Sequence, residues 1–371
     1  MKRLGNTDQM VPVIGQGTGI GGALARSAQY GEKQRDALRL GIELGMTFID
    51  TAEEYGGGAA EEMIGEVIRG IRKRVCVATK FSPEHSDYKG VLNAAEGSLR
   101  RLQTDYIDVY QIHWPHPTIP ISETVRAMEQ LVKDGKVRYL GVGNVSLKAC
   151  TEIKKLLSVS SIVSIELEYN LFDRSIEDDI LPFCEQNGIT LIAYSPLNRG
   201  AIADSQEKLE LLENIAVKYK KTGAQVALNW LVSHNAVVAI PKAESLIHIK
   251  ENAAATDFKL SEEDYKKINA VFTTQCVYGA PKRIRVVENK QLQTYYSLTE
   301  ARENKLGFCP SPADLAEKIK GEERIRPLRV IKTTDRSGQY DYDLIEGRIR
   351  YWALVIAYGW EKDVPIYVCS E

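Results

Sequence analysis

The sequence predicts an α/β protein: a (β/α)8 TIM barrel followed by a small α+β domain. Up to residue 240, short continuous apolar strands alternate with amphipathic helices. This is the pattern of buried parallel strands joined by crossover helices. Beyond residue 282 the alternation stops, and strands and helices follow in mixed order. The length of 371 residues suits one barrel of about 250 residues and a second, smaller module.

The predicted barrel strands are short apolar runs, and about eight βα units precede residue 240. Eight such units favour a closed barrel over an open doubly wound sheet. The predicted strands are 11–17, 47–49, 75–79, 107–112, 137–142, 162–167, 189–194 and 237–240. The predicted helices are 33–44, 61–69, 89–102, 122–133, 147–157, 176–187 and 207–220, with further helices at 224–232, 245–254 and 261–272.

The predicted domain boundary lies where Gly279 and Pro281 interrupt the alternation. We therefore assign residues 1–275 to the barrel and 283–371 to the α+β domain. In this second domain the predicted strands are 283–287, 327–332, 341–345 and 364–368, and the predicted helices are 312–319 and 350–358.

The composition is that of a soluble globular protein. A formal charge of −2 argues against a chain that binds polyanions over its whole surface. No apolar run approaches the roughly 20 residues that cross a bilayer, and residues 1–5 lack the apolar core of a signal peptide. Six scattered cysteines give no zinc-site spacing and suit reduced thiols. We therefore expect a cytoplasmic protein with no metal and no membrane association. The oligomeric state leaves no signal in the sequence.

The glycine run that begins at Gly17 matches the pattern G-x-G-x-x-G and raises a Rossmann fold as the alternative. That fold needs a helix to begin at the glycines and an acidic residue about 20 positions further on. Here the loop continues to Gly31, and the first acidic strand end is Asp50. The glycine run therefore does not displace the barrel interpretation.

Polar or ionisable residues follow seven successive predicted strands. Because parallel strands bring their C-terminal ends to one rim of a barrel, we expect these side chains to converge there. Taken alone, such a residue can have a purely structural role. Asp50 could cap a helix, His113 could pack in a loop, and Glu166 could be an ordinary inward-facing barrel residue. The seven ends together indicate an active site. The residues are Asp50, Lys80, His113, Asn144, Glu168 with Asn170, Tyr194 with Ser195, and Lys242, with Glu166 inside its strand.

Four residues suggest a reaction. A lysine at a buried strand end requires a carboxylate, and Asp50 lies one strand before Lys80. A nearby cation would lower the pKa of Tyr55 from its ordinary value near 10, which makes the phenol a useful proton donor. His113 can hydrogen-bond the same carbonyl oxygen. Since the set has neither a nucleophile–base pair nor clustered metal ligands, it favours reduction of a carbonyl by an external hydride donor.

Residues 1 to about 272 resemble the aldo-keto reductase family, through motifs spaced in that family's order. The resemblance implies a catalytic tetrad of Asp50, Tyr55, Lys80 and His113. It also implies hydride transfer from nicotinamide C4 of NADP(H), or less often NAD(H), to an aldehyde or ketone, with the proton from Tyr55. The matching motifs are Asp50-Thr51-Ala52-Glu53-Glu54-Tyr55-Gly56, Ala78-Thr79-Lys80, Asp108-Val109-Tyr110-Gln111-Ile112-His113-Trp114-Pro115, Gly141-Val142-Gly143-Asn144, Glu168-Tyr169-Asn170, Ala193-Tyr194-Ser195-Pro196-Leu197, Ile240-Pro241-Lys242 and Glu251-Asn252.

The resemblance also implies a cofactor groove, in which Tyr194 stacks on the nicotinamide and Asn144 holds its carboxamide. The groove residues that it further implies are Glu166, Ser195, Leu197, Lys242, His248, Glu251 and Asn252. Trp114 is expected to shape the substrate pocket rather than to pack in a core.

Three departures from the family pattern stand in this groove. Gly143 stands where the family has Ser, and Glu166 where it has Gln. Ala243 and His248 replace the Ser and Arg that meet the 2′-phosphate, so only Lys242 clearly favours a phosphate. The sequence therefore predicts NADP(H) over NAD(H), but less strongly than the family does.

Residues 341–353 run strand, glycine turn, arginines and helix, an order similar to the ParB/sulfiredoxin-like fold. Members of that fold bind nucleotides or contact DNA. The helix start at Gly347, with Arg348 and Arg350, would form an anion site. The acidic residue of that fold's G-E-R-R signature is absent, which argues against nuclease or phosphotransfer activity. The alternatives are a structural appendage or, for the whole chain, a redox sensor whose C-terminal domain binds DNA or a nucleotide.

Overall fold

A computed structural model describes residues 1–19, 31–203, 205–272, 276–287, 294–308, 311–320, 327–333, 335 and 337–368. The chain divides into two compact units. The first is Met1–Ile202 with Leu209–Val271, and the second is Ala203–Lys208 with Phe272–Glu371. Residues 20–22 of the glycine run and the cysteines at 309 and 369 lie outside the described residues. No helix of the described ranges is long and apolar enough to cross a membrane.

A short hairpin precedes the barrel: β1 (Lys2–Arg3) pairs antiparallel with β2 (Met10–Val11). The sequence predicts a single strand over residues 11–17, and this is wrong. Only β3 (Gln16–Gly17) enters the barrel sheet. Pro12, directly after β2, has no N–H to donate, so the hairpin ladder ends there.

An eight-stranded parallel sheet forms the centre of the first unit, with its strands in chain order. Buried apolar side chains such as Phe48, Val109 and Val238 fill it. The remaining strands are β4 (Phe48–Asp50), β5 (Cys76–Phe81), β6 (Ile107–Ile112), β7 (Val137–Gly143), β8 (Ile162–Glu168), β9 (Thr190–Tyr194) and β10 (Val237–Ala239).

Contacts between the first and last segments close this sheet. Gly15 N donates to Ala239 O at 2.8 Å, and Ala239 N donates to Val13 O at 2.9 Å. Ile14 and Ala239 form a parallel bridge between them. The predicted (β/α)8 barrel is therefore confirmed.

Helices connect the barrel strands, and their starts follow local capping chemistry. Asp87 accepts a hydrogen bond from Gly90 N at 2.9 Å, and Ser146 accepts one from Ala149 N at 3.3 Å. The helices are α1 (Glu32–Glu43), α2 (Ala59–Val67), α3 (Tyr88–Leu102), α4 (Ile121–Lys133), α5 (Leu147–Leu156), α6 (Ile180–Asn187), α7 (Gln206–Tyr219), α8 (Gly223–Val232), α9 (Leu246–Ala253) and α10 (Glu262–Val271).

The second unit contains a mixed five-stranded sheet in the order β11-β15-β13-β14-β12, which agrees with the predicted α+β character. Tyr351, Trp352 and Leu354 of its longest helix lie in its apolar core. Its elements are β11 (Cys276–Gly279), β12 (Ile284–Val286), α11 (Leu298–Arg302), α12 (Pro312–Lys320), β13 (Leu328–Lys332), β14 (Tyr342–Glu346), α13 (Arg348–Tyr358) and β15 (Val364–Val368).

The segment that the sequence treats as an interruption is part of this second sheet. Strand β11 pairs antiparallel with β15, at the far end of the chain. Its partner is distant in sequence, so local patterning gives no sign of the pairing. Helix α11 was also not predicted, because five residues are too few to carry a helical period.

Candidate active site

A buried ion pair joins the ends of two neighbouring strands. Strands β4 and β5 pair in parallel with Asp50 opposite Ala78, so Lys80 lies two residues further along β5. The Lys80 side chain is fully buried, and its Nζ lies 2.7 Å from both carboxylate oxygens of Asp50. The same Nζ donates to Thr51 O at 2.9 Å. The predicted pairing of these two residues is therefore present.

A second carboxylate, from the other side of the barrel, approaches the same cation. Glu166 Oε1 lies 3.2 Å from Lys80 Nζ, and Gln111 Nε2 donates to Glu166 Oε2 at 2.7 Å. Ser164 in turn donates to Gln111 Oε1 at 3.1 Å. Sequence reasoning placed Glu166 in the cofactor groove but missed its contact with Lys80. The signal was the twofold period of β8, which puts Glu166 on the inward face with Ser164.

The charges of this cluster shift the pKa values of its members. Burial tends to lower the pKa of Lys80, but the carboxylates of Asp50 and Glu166 outweigh it and hold that pKa above its ordinary value. Burial, with the charge of Glu166, raises the pKa of Asp50, against the opposing effect of Lys80. One buried ammonium thus faces two buried acidic side chains.

Tyr55 lies beside the cluster, with the centroid of its ring 5.3 Å from Lys80 Nζ. Burial raises its pKa above the ordinary value, and Lys80 acts in the opposite direction. The prediction of a lowered phenol pKa is therefore wrong in this structure, although the effect of Lys80 has the predicted sign. The phenol stays protonated at neutral pH and has a proton to give.

The turn that carries Tyr55 depends on glycines. Gly56 and Gly57 have φ values of 64° and 63°, in the left-handed region that favours glycine. Gly19 lies against the phenol: a Cβ there would stand 2.6 Å from Tyr55 Cζ and 3.0 Å from its hydroxyl oxygen. The glycine run after β3 thus makes room for Tyr55, a role that the sequence did not reveal.

An anchor that the sequence also did not reveal fixes the same turn to the segment after β5. Glu53 Oε1 accepts from Ser82 N at 2.7 Å and from Ser82 Oγ at 2.8 Å. His85 Nδ1 lies 2.7 Å from the same oxygen. Because Glu53 is two residues before Tyr55, these bonds hold the phenol in place relative to Lys80.

His113 follows β6, and its ring meets the Tyr55 ring edge-on, with centroids 5.7 Å apart. Glu54 Oε2 lies 3.0 Å from His113 Nδ1, outside hydrogen-bond geometry, and this buried nitrogen has no hydrogen-bond partner. Trp114 comes next and is 38% exposed, so it does not pack in the core.

Asn144 and Tyr194 join the ends of β7 and β9. Asn144 Nδ2 donates to His113 O at 2.9 Å, and the Tyr194 hydroxyl donates to Asn144 Oδ1 at 3.0 Å. Asn144 and Ser195 have φ values of 53° and 48°. Such strained backbone in non-glycine residues is concentrated at functional turns. Ser195 O also accepts from Asn170 Nδ2 at 3.1 Å, and Leu197 follows in the same partly buried turn.

The other predicted cofactor residues lie on the segment from β10 into α9. Lys242 Nζ lies 3.0 Å from Glu244 Oε1. Within α9, His248 is exposed and Asn252 is buried, with Glu251 between these extremes. Lys242 and Glu244 line an open cleft together with Gln34. The predicted groove residues therefore fall into two groups, one at the ends of β7, β8 and β9 and one on residues 242–252.

In the second unit, the predicted anion residues stand at the start of α13. Gly347 has φ 94° and precedes the helix. Arg348 Nη1 donates to Ile345 O at 2.9 Å, and Arg350 Nη1 donates to Pro327 O at 3.0 Å. Each arginine thus bonds a backbone carbonyl of its own unit.

Fold and site together define a class: a closed (β/α)8 barrel whose C-terminal rim carries a buried ammonium, a phenol and an imidazole, suited to polarising and protonating a carbonyl. Residues 14–272 match the Aldo/keto reductase family. The chain belongs to this family, and it is an NAD(P)H-dependent oxidoreductase that acts on carbonyl compounds.

Curated relatives and solved structures resemble most of the chain. Methylglyoxal reductase YeaE of Escherichia coli is 38% identical over 74% of this chain and 94% of its own length. Glyoxal reductase of Bacillus subtilis is 38% identical over 66% of this chain and 85% of its own.

Two crystal structures are similar in fold. The thermostable aldo-keto reductase Tm1743, in complex with epalrestat, has a TM-score of 0.68 and 40% identity over 73% of this chain and 98% of its own. An aldo/keto reductase from Klebsiella pneumoniae, in complex with NADP and acetate, has a TM-score of 0.62 and 39% identity. The match covers 71% of this chain and 92% of the Klebsiella chain.

Proposed function

We propose that this protein uses NADP(H) to reduce small aldehydes and ketones, with dicarbonyl aldehydes such as methylglyoxal and glyoxal as the first substrates to test. The observation that carries the proposal is the buried Asp50–Lys80 pair beside Tyr55 and His113. The names of the two similar reductases, each 38% identical to this chain, support the substrate class.

The residues present fit a nicotinamide cofactor. Lys242 stands at an open cleft, where a phosphate would find a cation. Bound NADPH would supply the hydride. Two similar reductases from Klebsiella pneumoniae, one with NADP and one with NADPH, support NADP(H) as the preferred cofactor, with NAD(H) second.

The proton comes from the chain itself. Tyr55 donates its phenolic proton to the carbonyl oxygen of the substrate, and His113 donates a hydrogen bond to the same oxygen. Lys80 remains a cation and stabilises the negative charge left on the Tyr55 oxygen. Asp50 holds Lys80 in position through two short contacts. This division of roles uses all four members of the predicted tetrad.

The predicted groove residues bind and orient the cofactor. Tyr194 stacks on the nicotinamide ring, while Asn144 and Glu166 hold its carboxamide. As a carboxylate, Glu166 can accept from the amide N–H but cannot donate. Trp114 shapes the substrate pocket. The rest of the cofactor lies along Ser195, Leu197, Lys242, His248, Glu251 and Asn252.

The test is Tyr55→Phe. We expect kcat on methylglyoxal to fall by about 10² to 10⁴, since that is the usual contribution of a positioned acid. The Kd for NADPH, measured by fluorescence quenching, should not change. Tyr110→Phe is the matched control, because the Tyr110 hydroxyl is buried without a hydrogen-bond partner and lies outside the proposed machinery. A Tyr55→Phe enzyme with the wild-type kcat would disprove the assigned acid.

We also propose that residues 1–275 form the barrel domain and that residues 283–371 form a C-terminal domain with a ParB/sulfiredoxin-like fold. In that domain, Gly347, Arg348 and Arg350 would form an anion site. The left-handed glycine before α13 supports the anion site. We expect a DNA mobility shift that weakens with salt and disappears in Arg348→Ala/Arg350→Ala. Absence of any shift of the wild type at low salt would remove the nucleic-acid role.

The alternative function, a redox sensor that binds DNA or a nucleotide, requires the DNA mobility shift. The similarity to known reductases favours the enzyme function instead. A cytoplasmic location also stays a prediction.

A further inference from the structure

The loop between β10 and α9 contains an ion pair that faces the cleft. Glu244 Oε1 lies 3.0 Å from Lys242 Nζ, and both side chains are partly buried. The hydrogen bond from Lys242 lowers the pKa of Glu244 below its ordinary value, so Glu244 is a carboxylate at neutral pH. The cation that this loop offers to a phosphate already has a negatively charged partner.

The start of α1 reinforces the position of that carboxylate. The positive charge of Lys33 and the polar side chain of Gln34 both help to lower the pKa of Glu244. Gln34, Lys242 and Glu244 all line the same cleft. Glu244 is therefore held at the wall of the cleft.

A phosphate that approaches Lys242 must meet this carboxylate at close range. Two like charges in a partly buried cleft repel each other, and the phosphate also has to draw the ammonium away from Glu244. A ribose hydroxyl in the same place carries no charge and meets neither obstacle. Glu244 therefore weakens the binding of a ligand that has a phosphate at this point. The binding of a ligand without that phosphate is nearly unaffected.

We propose that Glu244 is a specificity-determining residue that competes with the cofactor's 2′-phosphate for Lys242, and so narrows the preference for NADPH over NADH. This rests on the proposed function in one respect, namely that Lys242 meets the 2′-phosphate. Glu244 is the acceptor that a phosphate must displace, and removing its charge releases the lysine for the phosphate.

The experiment measures binding to the full chain without turnover. The Kd values of NADPH and NADH are obtained by fluorescence quenching, and those of 2′,5′-ADP and 5′-AMP by calorimetry. The proteins are the wild type, Glu244→Gln, Lys242→Met and the double variant. We expect Glu244→Gln to lower the Kd values of NADPH and 2′,5′-ADP about threefold to tenfold. The Kd values of NADH and 5′-AMP should change less than about twofold.

The double variant separates competition from general repulsion. With Lys242 absent, removal of the Glu244 charge should no longer favour the phosphate ligands to the same extent. Glu263→Gln is the matched control, because Glu263 forms a similar pair with Lys267 at 2.6 Å on α10, outside the cleft. It should change none of the four Kd values.

The possible failures are distinguishable. If Lys242→Met weakens NADPH but Glu244→Gln does not tighten it, the competition proposal is overturned while the 2′-phosphate assignment stands. If Lys242→Met leaves the NADPH Kd unchanged, the assignment of Lys242 falls and the competition falls with it. Equal tightening of NADPH and NADH by Glu244→Gln would also overturn the proposal, since it would show no selectivity for the phosphate.

Discussion

The barrel and the C-terminal unit each contain a close carboxylate–cation pair, but the two pairs differ in burial and in the distance of a second acidic side chain. In the C-terminal unit, Arg285 Nε and Nη2 each donate at 2.7 Å to one oxygen of Asp343, and Thr333 donates to the same carboxylate at 2.8 Å. In the barrel, Lys80 faces both Asp50 and Glu166. A second acidic side chain also approaches each cation: Asp335 Oδ1 lies 4.0 Å from Arg285 Nη1, whereas Glu166 Oε1 lies 3.2 Å from Lys80 Nζ.

Exposure separates the two pairs further. The Arg285 side chain is 32% exposed and that of Lys80 is 0% exposed. A partly exposed pair is screened by water and contributes little to stability, whereas a buried cluster of one cation and two acidic side chains is costly to fold. A cluster that folding alone would not favour points to chemistry, while the partly exposed pair is explained by the sheet that contains it.

The largest expected effect is that of Lys80→Met. This change leaves Asp50 and Glu166 buried without their cation. We therefore expect the free energy of local unfolding around β5 to fall by about 3 kcal/mol or more. Turnover should fall with it, because the charge beside Tyr55 is lost. Hydrogen exchange of the β5 amides, read by mass spectrometry, measures the stability effect locally.

Arg285→Met is the counterpart in the C-terminal unit. Because the pair is partly exposed, we expect a clearly smaller loss of protection in the exchange of the β14 amides than Lys80→Met causes in β5, with unchanged carbonyl turnover. Equal losses for the two substitutions would break the comparison, since the barrel cluster would then be only another structural ion pair.

A smaller effect is expected at His234, a barrel residue outside the tetrad. Its Nε2 lies 3.0 Å from the Tyr169 hydroxyl and 3.2 Å from that of Tyr265. Burial lowers its pKa from 6.5 to about 4. Between these values the unfolded chain binds the proton and the folded chain does not. The stability that neutral His234 maintains above pH 6.5 is therefore lost progressively as the pH falls towards 4.

At pH 5 this loss should amount to about 1–2 kcal/mol for the partly exposed ring. Unfolding of the wild type and of His234→Gln at pH 7.5 and pH 5 measures it, and the variant should show the smaller pH dependence. Identical slopes would show that His234 keeps an ordinary pKa, and that the barrel tolerates charge away from the tetrad.

The sequence predicted the barrel well because its evidence is local. Apolar runs and helical periods mark β4 to β10, and a lysine at a strand end specifies a carboxylate partner, which led directly to Asp50. The approach of Glu166 to Lys80 was not predictable in this way, because β5 and β8 are separated by two strands in the sheet. The Lys242–Glu244 contact depends on the conformation of a loop, for which residue spacing gives no rule.

The missed elements share a similar cause. The two-residue strands β1 and β2 are too short for any period, and β11 pairs with a strand at the other end of the chain. Gly19 was weighed only as part of a phosphate-binding pattern. Its close approach to Tyr55 is a tertiary fact that no local rule contains.

The contact that closes the barrel has a consequence for biosynthesis. Since Ile14 bridges to Ala239, no nascent chain that ends before Ala239 can contain the closed barrel. Until then, the growing sheet keeps two open edges, the kind of surface on which chains associate wrongly. Asp50 and Lys80 lie on neighbouring strands, and both strands are synthesised long before that point. The charged centre of the site can thus assemble on the ribosome before the barrel that encloses it.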